Sequence, residues 1–184
     1  MIKKNKNYMI DIKVLNDSGY NEAMLGISLN KKKNIDTAKK VSYNLYNKDF
    51  GHNKFLEHMY LWLLVKAPRY WWQEADTYRL SSKNSESTMH TILKRKLTFA
   101  DFEPDGVSER KLKELNQYVK NKNFLILKKR LNESFLQQRM WVISYKTMRN
   151  IIIQRYNHRL PHWKDFCDKI VNNCKNPSYL NIKQ

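Results

Sequence analysis

Ten consecutive residues, Arg79-Leu-Ser-Ser-Lys-Asn-Ser-Glu-Ser-Thr88, carry five hydroxyls, an amide, a carboxylate and two cations. Serine hydroxyls and successive backbone N–H groups can form a concave nest that holds an anion. Each charge-assisted hydrogen bond to a phosphate contributes about 1.5–3 kcal/mol. The same composition also describes a flexible Ser/Lys/Asn loop. Against that, the stretch contains no Gly or Pro and is clamped between an aromatic helix and an apolar run. Other groupings are weaker. His158 and His162 have the i,i+4 spacing of metal ligands, but Pro161 interrupts that helix and no third ligand is evident. They read as surface histidines, and no metal is expected. Cys167 and Cys174 lie two turns apart on one helix and cannot bridge without distortion. They read as reduced thiols, as in the cytoplasm. Trp62 and Trp141 fall at periodic apolar positions and belong to a core. Trp71 and Trp72 cannot face the same way, so one is available to line a pocket.

These side chains need a scaffold. Tyr8–Leu15 reads as a strand with Ile10, Ile12 and Val14 on one face, followed by turn residues Asn16–Gly19. Glu22–Asn30 is ambiguous between a strand and an irregular segment, and Lys31–Lys33 reads as a solvated loop. Asp36 is positioned to cap a helix reaching about Tyr46. Gly51 breaks that pattern. Glu57–Lys66 reads as a buried strand begun by a helical turn, and Pro68 opens a helix completed by Tyr70–Tyr78. His90–Phe99 fits a strand or a short helix, and Ala100–Val107 a loop. Ser108 starts an amphipathic helix to about Lys120, and Phe124–Leu131 is another helical piece. Phe135–Arg155 is the longest periodic segment, redirected by Pro161 into a last helix, His162–Asn173. There is no internal repeat. Residues 1–174 read as a single domain and 175–184 as a polar, frayed tail.

Composition bounds the function. The chain has 184 residues, 41% of them hydrophobic, enough to bury a core. With only 4 Gly and 4 Pro it is not a loop-rich all-β chain. The longest purely apolar run is Leu61–Val65, far short of the roughly 20 residues a membrane helix needs. The N-terminus is basic without an apolar h-region, so no signal peptide is expected. The net charge of +18 suits phosphorylated ligands or polyanions. Lys, Asn and Ile are abundant together, as an A/T-rich genome or a virus would produce, so charge alone does not argue for nucleic acid. No zinc finger, RRM signature or basic zipper is present.

Four motifs give the chain a family resemblance. The stretch Thr77 to His90 lies without a gap on RHRxxSxNExSxRY, with Arg79, Ser82, Asn84 and Ser87 matching. Val65-Lys66-Ala67-Pro68 lies in register on VKGP, and Gly51-His52 with Glu57-His58 on GHxxxxEH. Ser144 to Arg155 lies residue for residue on NxRSLxxFLxLR, which has Asn or His at its seventh place, here Asn150. Sixteen residues before Ser144, where the family that carries these motifs places a phosphate-binding Arg, stands Lys128. The chain thus resembles the flavin-dependent thymidylate synthases from about Gly51 to Arg155.

The resemblance implies an α/β (α+β) fold, a small mixed sheet flanked by helices, assembled as a homotetramer with active sites between subunits. It implies FAD as cofactor, with NADPH and methylenetetrahydrofolate as co-substrates, and reductive methylation at C5 of a pyrimidine deoxynucleotide, dUMP to dTMP by default. The flavin carries the hard chemistry and the protein supplies orientation and electrostatics. Ser87 and Arg155 would be catalytic, Arg155 facing the base and favouring its N3-ionised form. Lys128 would hold the phosphate, and Glu74, Ser85 and Glu86 would complete the substrate side. His52 would lie near the flavin ring, and Thr77, Tyr78, Arg79, Asn84, Lys146 and Asn150 would contact FAD. On the Ser144–Arg155 helix, Ser144, Met148, Ile151 and Arg155 share one stripe while Lys146 and Asn150 share another, which suits a site shared between subunits.

The departures are specific. The Arg-His pair is Thr77-Tyr78, the Arg after the Ser is Met89, and two further cations are Lys146 and Lys128. Lys cannot reproduce the bidentate fork of Arg. At about 1.5–3 kcal/mol per contact, the losses amount to about a hundredfold or more in affinity unless local lysines compensate. They leave room for hydroxymethylation or another modified pyrimidine outcome. A non-catalytic nucleotide- or nucleic-acid-binding relative is the alternative from another class.

Overall fold

A computed structural model describes residues 10–30, 34–48 and 51–180. The expected loop Lys31–Lys33, the first residues of the Tyr8–Leu15 strand and the last four of the tail lie outside them. Strand β1 (Asp11–Ser18) leads into helices α1 (Tyr20–Leu29) and α2 (Ile35–Leu45), then a 3₁₀ turn, Lys54–Glu57. Strand β2 (Tyr60–Pro68) runs directly into α3 (Arg69–Ala75). Strand β3 (Ser81–Ser85), the single turn α4 (Thr88–Thr91), α5 (Glu109–Lys120) and α6 (Phe124–Arg130) follow. Strand β4 (Leu136–Ser144) continues into α7 (Tyr145–Arg155), and α8 (Pro161–Asn173) closes the order with a 3₁₀ turn, Pro177–Tyr179.

The α+β expectation is met. The sheet has the order β1-β2-β4-β3 and every pairing in it is antiparallel, so it is not mixed. Its inner face follows from period-two alternation. Leu61, Leu63, Val65 and Ala67 of β2 are fully buried, opposite Ile143 and Trp141 of β4. Against them pack Trp71 and Trp72 of α3, Met148 and Ile151 of α7, and Trp163, Phe166 and Ile170 of α8. Trp71 lies 4.6 Å from Trp163 and 5.0 Å from Trp72 between ring centroids. Both Trp71 and Trp72 are therefore core, and neither lines a pocket. The outer face carries Trp62, Leu64, Met140 and Val142 only half-buried, with Tyr60 40% exposed. A second, smaller cluster, including Phe102, Leu115, Leu127 and Phe135, forms beneath α5 and α6.

Several elements differ from the sequence reading. Glu22–Asn30 is helical, within α1 and its C-cap. Asn34, not Asp36, caps α2, its side chain accepting from Thr37 N at 2.8 Å. Phe135–Arg155 is a strand and then a helix. Its apolar residues alternate through Trp141 and Ile143, and Ser144 then caps α7 by accepting from Thr147 N. The first part of the tail packs inward, with Tyr179 and Leu180 fully buried. Both cysteines are free, and burial pushes the Cys167 thiol up to about 12.

A bulge between Val14 and Asn16 resets the parity of β1 and turns Asp17 inward. Its carboxylate accepts from Tyr145 Oη at 2.6 Å and from Lys175 N at 2.6 Å, tying β1, α7 and the tail together. Gly19 follows at φ 92°, where a Cβ would stand 2.0 Å from the carbonyl oxygen of His58. Removing the fully buried Tyr145 hydroxyl should therefore cost about 1–3 kcal/mol. Urea unfolding of Tyr145→Phe measures this, and an unchanged midpoint would show that the Asp17 hub contributes nothing.

Candidate active site

Helix α3 starts where β2 ends, and Pro68, in extended conformation, is its N-cap. At that end Arg69 donates to the Leu131 carbonyl at 3.2 Å and lies 3.4 Å from Glu133. Lys128, in the last turn of α6, donates to Thr88 Oγ1 at 2.6 Å. Burial, then the nearby charge of Arg69, lowers the Lys128 pKa. Two cations thus gather beside the turn that carries Ser87. Ser87 is the exposed N-cap residue of α4, its carbonyl accepting from His90 and Thr91 N at 3.1 Å. Ser85 ends β3 opposite Arg139, and Glu86 N donates to the Gln138 carbonyl at 2.9 Å.

At the other end of α3 stands Glu74. Its Oε2 accepts from Arg155 Nη1 at 2.9 Å and from Trp163 Nε1 at 2.8 Å, and His158 Nε2 lies 3.7 Å away. Arg155 Nε donates to Tyr78 Oη at 2.9 Å, and Tyr78 Oη donates in turn to Gln154 at 3.0 Å. The guanidinium carbon lies 5.2 Å from the Trp163 ring centroid. Arg155 is thereby held on three sides, by a carboxylate, a phenol and an indole face. Thr77 is used locally, its hydroxyl donating to the Glu74 carbonyl at 2.7 Å.

A third group surrounds the Gly51–His58 turn. His52 is exposed at the edge of a cavity of about 700 Å³ lined by Ile27, Val41, Leu45, Phe55 and His58 among others. Lys146, in the first turn of α7, lies 2.7 Å from Glu57, and Asn150 is exposed one turn further on. Arg79 is exposed, and Leu80 beside it accepts from Thr147 Oγ1 at 3.3 Å, so Arg79 sits at the same end of the sheet as Lys146. The polar stretch after Arg79 is not a loop. It forms edge strand β3, with Asn84 exposed opposite Met140 and Lys83 inward over Trp141 at 4.8 Å.

Known proteins share this architecture. No family model and no curated protein matches the sequence. Solved structures do match. A flavin-dependent thymidylate synthase from Helicobacter pylori, complexed with FAD and dUMP, superposes with a TM-score of 0.80 over 92% of this chain and 97% of that one, at 17% identity. A second structure of the enzyme from that organism, also with FAD and dUMP, gives 0.75 at 17% identity, covering 93% and 96%. A UMP/dUMP methylase from Streptomyces cacaoi, bound to 5-Br UMP, gives 0.65 at 12% identity, covering 93% and 92%. The chain has the flavin-dependent thymidylate synthase fold.

Within that fold the expected residues form three groups rather than one. Glu74, Tyr78 and Arg155 are joined by hydrogen bonds. Lys128 meets Thr88 beside Ser87, and Lys146 meets Glu57. The cavity at His52 is lined by none of the other candidates. Sequence reasoning missed Arg69, although it directly follows the VKGP-like motif. It also misplaced His162, which is 2% exposed and not a surface residue. His162 Nε2 lies 2.5 Å from Glu103 and 3.1 Å from Tyr70 Oη, and Tyr70 donates to Glu103 at 2.6 Å. This network joins α3 and α8 to the segment before α5. Among the described residues, no group of three or more His, Cys, Asp or Glu is arranged to hold a metal.

Glu74→Ala removes one acceptor from two donors at once. It should destabilise the fold by about 1.5–3 kcal/mol, with Glu74→Gln losing less because an amide oxygen still accepts. Urea unfolding followed by tryptophan fluorescence reads this. Equal midpoints for Ala, Gln and wild type would contradict the hub role of Glu74.

Proposed function

We propose that this chain is a flavin-dependent enzyme that transfers a one-carbon unit to C5 of a pyrimidine deoxynucleotide, with dUMP methylation as the default supplied by its relatives. The observation that carries the reading is the distribution of charge along α3. Cations gather at its start, around Arg69 and Lys128, and the Glu74–Arg155 pair stands near its end. The five-residue interval rises about 7.5 Å, close to the span from the phosphate to the base of one nucleotide. Lys128 with Arg69 would take the phosphate, whose negative charge would oppose the burial that lowers the Lys128 pKa. Arg155, fixed by Tyr78 and Glu74, would face the base, and Ser87 would approach it from the start of α4.

The residues at the opposite end fit FAD. Arg79 and Asn150 are exposed and make no side-chain hydrogen bond among the described residues, leaving donors for a pyrophosphate. His52 borders a cavity of mixed lining, whose apolar part, Ile27, Val41, Leu45 and Phe55, would suit an aromatic ring system. Lys146 is held by Glu57, Thr77 by its own helix and Tyr78 by Arg155, so these three contribute less than the family pattern implies. FAD, reduced by NADPH, would supply hydride, and methylenetetrahydrofolate the carbon. The chain's own task is to bind, orient and exclude water.

The half-exposed outer face of the sheet, with Trp62, Leu64, Met140 and Val142, supports assembly into a homotetramer. Light scattering at micromolar concentration should show more than one chain per particle, and a strict monomer would refute a shared site. The reading as a whole is tested by titrating FAD into the purified protein while following flavin fluorescence. Saturable quenching is expected. A protein that leaves flavin fluorescence unchanged would support the binding-only alternative instead.

A further inference from the structure

We infer that Glu74 makes the base site selective for a pyrimidine with an amino group at C4, a cytosine-type nucleotide, over a uracil-type one. This rests on the reading of Arg155 as the residue that faces the base. Arg155 and Trp163 both bond to one oxygen of the Glu74 carboxylate, Oε2, at 2.9 and 2.8 Å. The other oxygen, Oε1, makes no hydrogen bond among the described residues. On Arg155, Nε is used by Tyr78 and Nη1 by Glu74, while Nη2 makes none. The side chains remain 30% and 20% exposed respectively. What the pair offers a ligand is therefore an unused donor nitrogen, Nη2, and an unused acceptor oxygen, Oε1, with no net charge.

A base edge can be compared with that offer. Cytosine carries an acceptor at N3 beside an amino donor at C4. N3 can take Nη2 of Arg155, and the amino group can donate to Oε1, the pairing by which carboxylates recognise cytosine in nucleic acids. Beyond the amino group lies only the C5–H edge, so nothing repels the carboxylate. Uracil carries one donor, N3–H, between two carbonyls. If N3–H donates to Oε1, Arg155 satisfies one carbonyl and the other is left against a carboxylate. The N3-ionised form fares worse, because its charge meets Glu74 as well as Arg155. A lone arginine would favour uracil or its anion. An arginine already paired with a carboxylate does not.

Glu74→Gln is a clean probe, because an amide oxygen at the Oε2 place keeps the bonds to Arg155 and Trp163 while the amide nitrogen replaces Oε1 by a donor. Calorimetric titration of the FAD-loaded protein with dCMP and with dUMP tests the inference. Wild type should bind dCMP about ten- to a hundredfold tighter than dUMP, the discrimination of one well-placed base contact. In Glu74→Gln the preference should vanish or reverse. If wild type binds dUMP as tightly as dCMP or more tightly, the inference falls while the proposed function stands. That wild-type ratio decides the matter even if the variant does not fold. If neither nucleotide binds, the proposed function itself falls, and the selectivity with it.

Discussion

Nine residue pairs join Tyr60–Pro68 to Leu136–Ser144 without a bulge, and the candidate site depends on that pairing. The two strands are antiparallel, so their C-terminal ends lie at opposite ends of the sheet. Each of those ends starts a helix. Pro68 begins α3, and Ser144 caps α7. The helices lie over the same inner face, and Glu74 of α3 meets Arg155 at the end of α7 as a result. The pairing also closes the long segment between the strands, which carries β3, α4 and Lys128. A slip of one residue would turn Leu61, Leu63 and Val65 outward and separate Glu74 from Arg155. The tryptophan cluster opposes such a slip, because Trp141, Trp71 and Trp163 interlock from three elements.

The chemistry proposed for the candidate site rests on how few of its charges stand alone. The chain carries +18, yet Arg155 is paired with Glu74, Lys146 with Glu57, and Lys128 is held near Thr88 with a lowered pKa. A paired guanidinium is a fixed hydrogen-bond donor more than a free positive field. Fixed donors suit a site whose contribution is orientation, since they need not reorganise as the reaction proceeds. Among the candidate cations, Arg79 is exposed and Lys128 meets only a hydroxyl, whereas Arg69 lies 3.4 Å from Glu133.

Much of this arrangement is legible in the sequence where one signal dominates. From Gly51 to Pro68 the order of turn, strand and helix reads correctly, but the strand expected at Glu57–Lys66 lies at Tyr60–Pro68, and Pro68 is its last residue and the N-cap of α3, not the first helical residue. Ser108 and its acceptance from Lys111 N follow from capping chemistry alone. Failures occur where two signals compete. In Ser81–Ser85 no apolar alternation marks a strand, because an edge strand with hydroxyl side chains gains its order from pairing with β4. In Phe135–Arg155 two periods, of a strand and of a helix, run together with no Gly or Pro between them, and only the serine cap divides them. Asp17 and His162 could not be placed from sequence, since a bulge turns one inward and a long-range carboxylate, Glu103, holds the other. The Glu74–Arg155 contact spans 81 residues, and no local pattern signals it.

The central claim, that this fold retains flavin-dependent chemistry at C5, is tested most directly by proton release. The protein is supplied with FAD, NADPH and methylenetetrahydrofolate, and tritium release is measured from the C5 position of labelled dCMP and dUMP. Wild type should release tritium from at least one of them. Arg155→Ala should lose turnover even at saturating nucleotide, because the base would no longer be oriented for transfer. Lys128→Ala should instead bind more weakly and recover turnover at saturating nucleotide. Release from neither nucleotide by the wild type, or undiminished release by Arg155→Ala, would contradict the account.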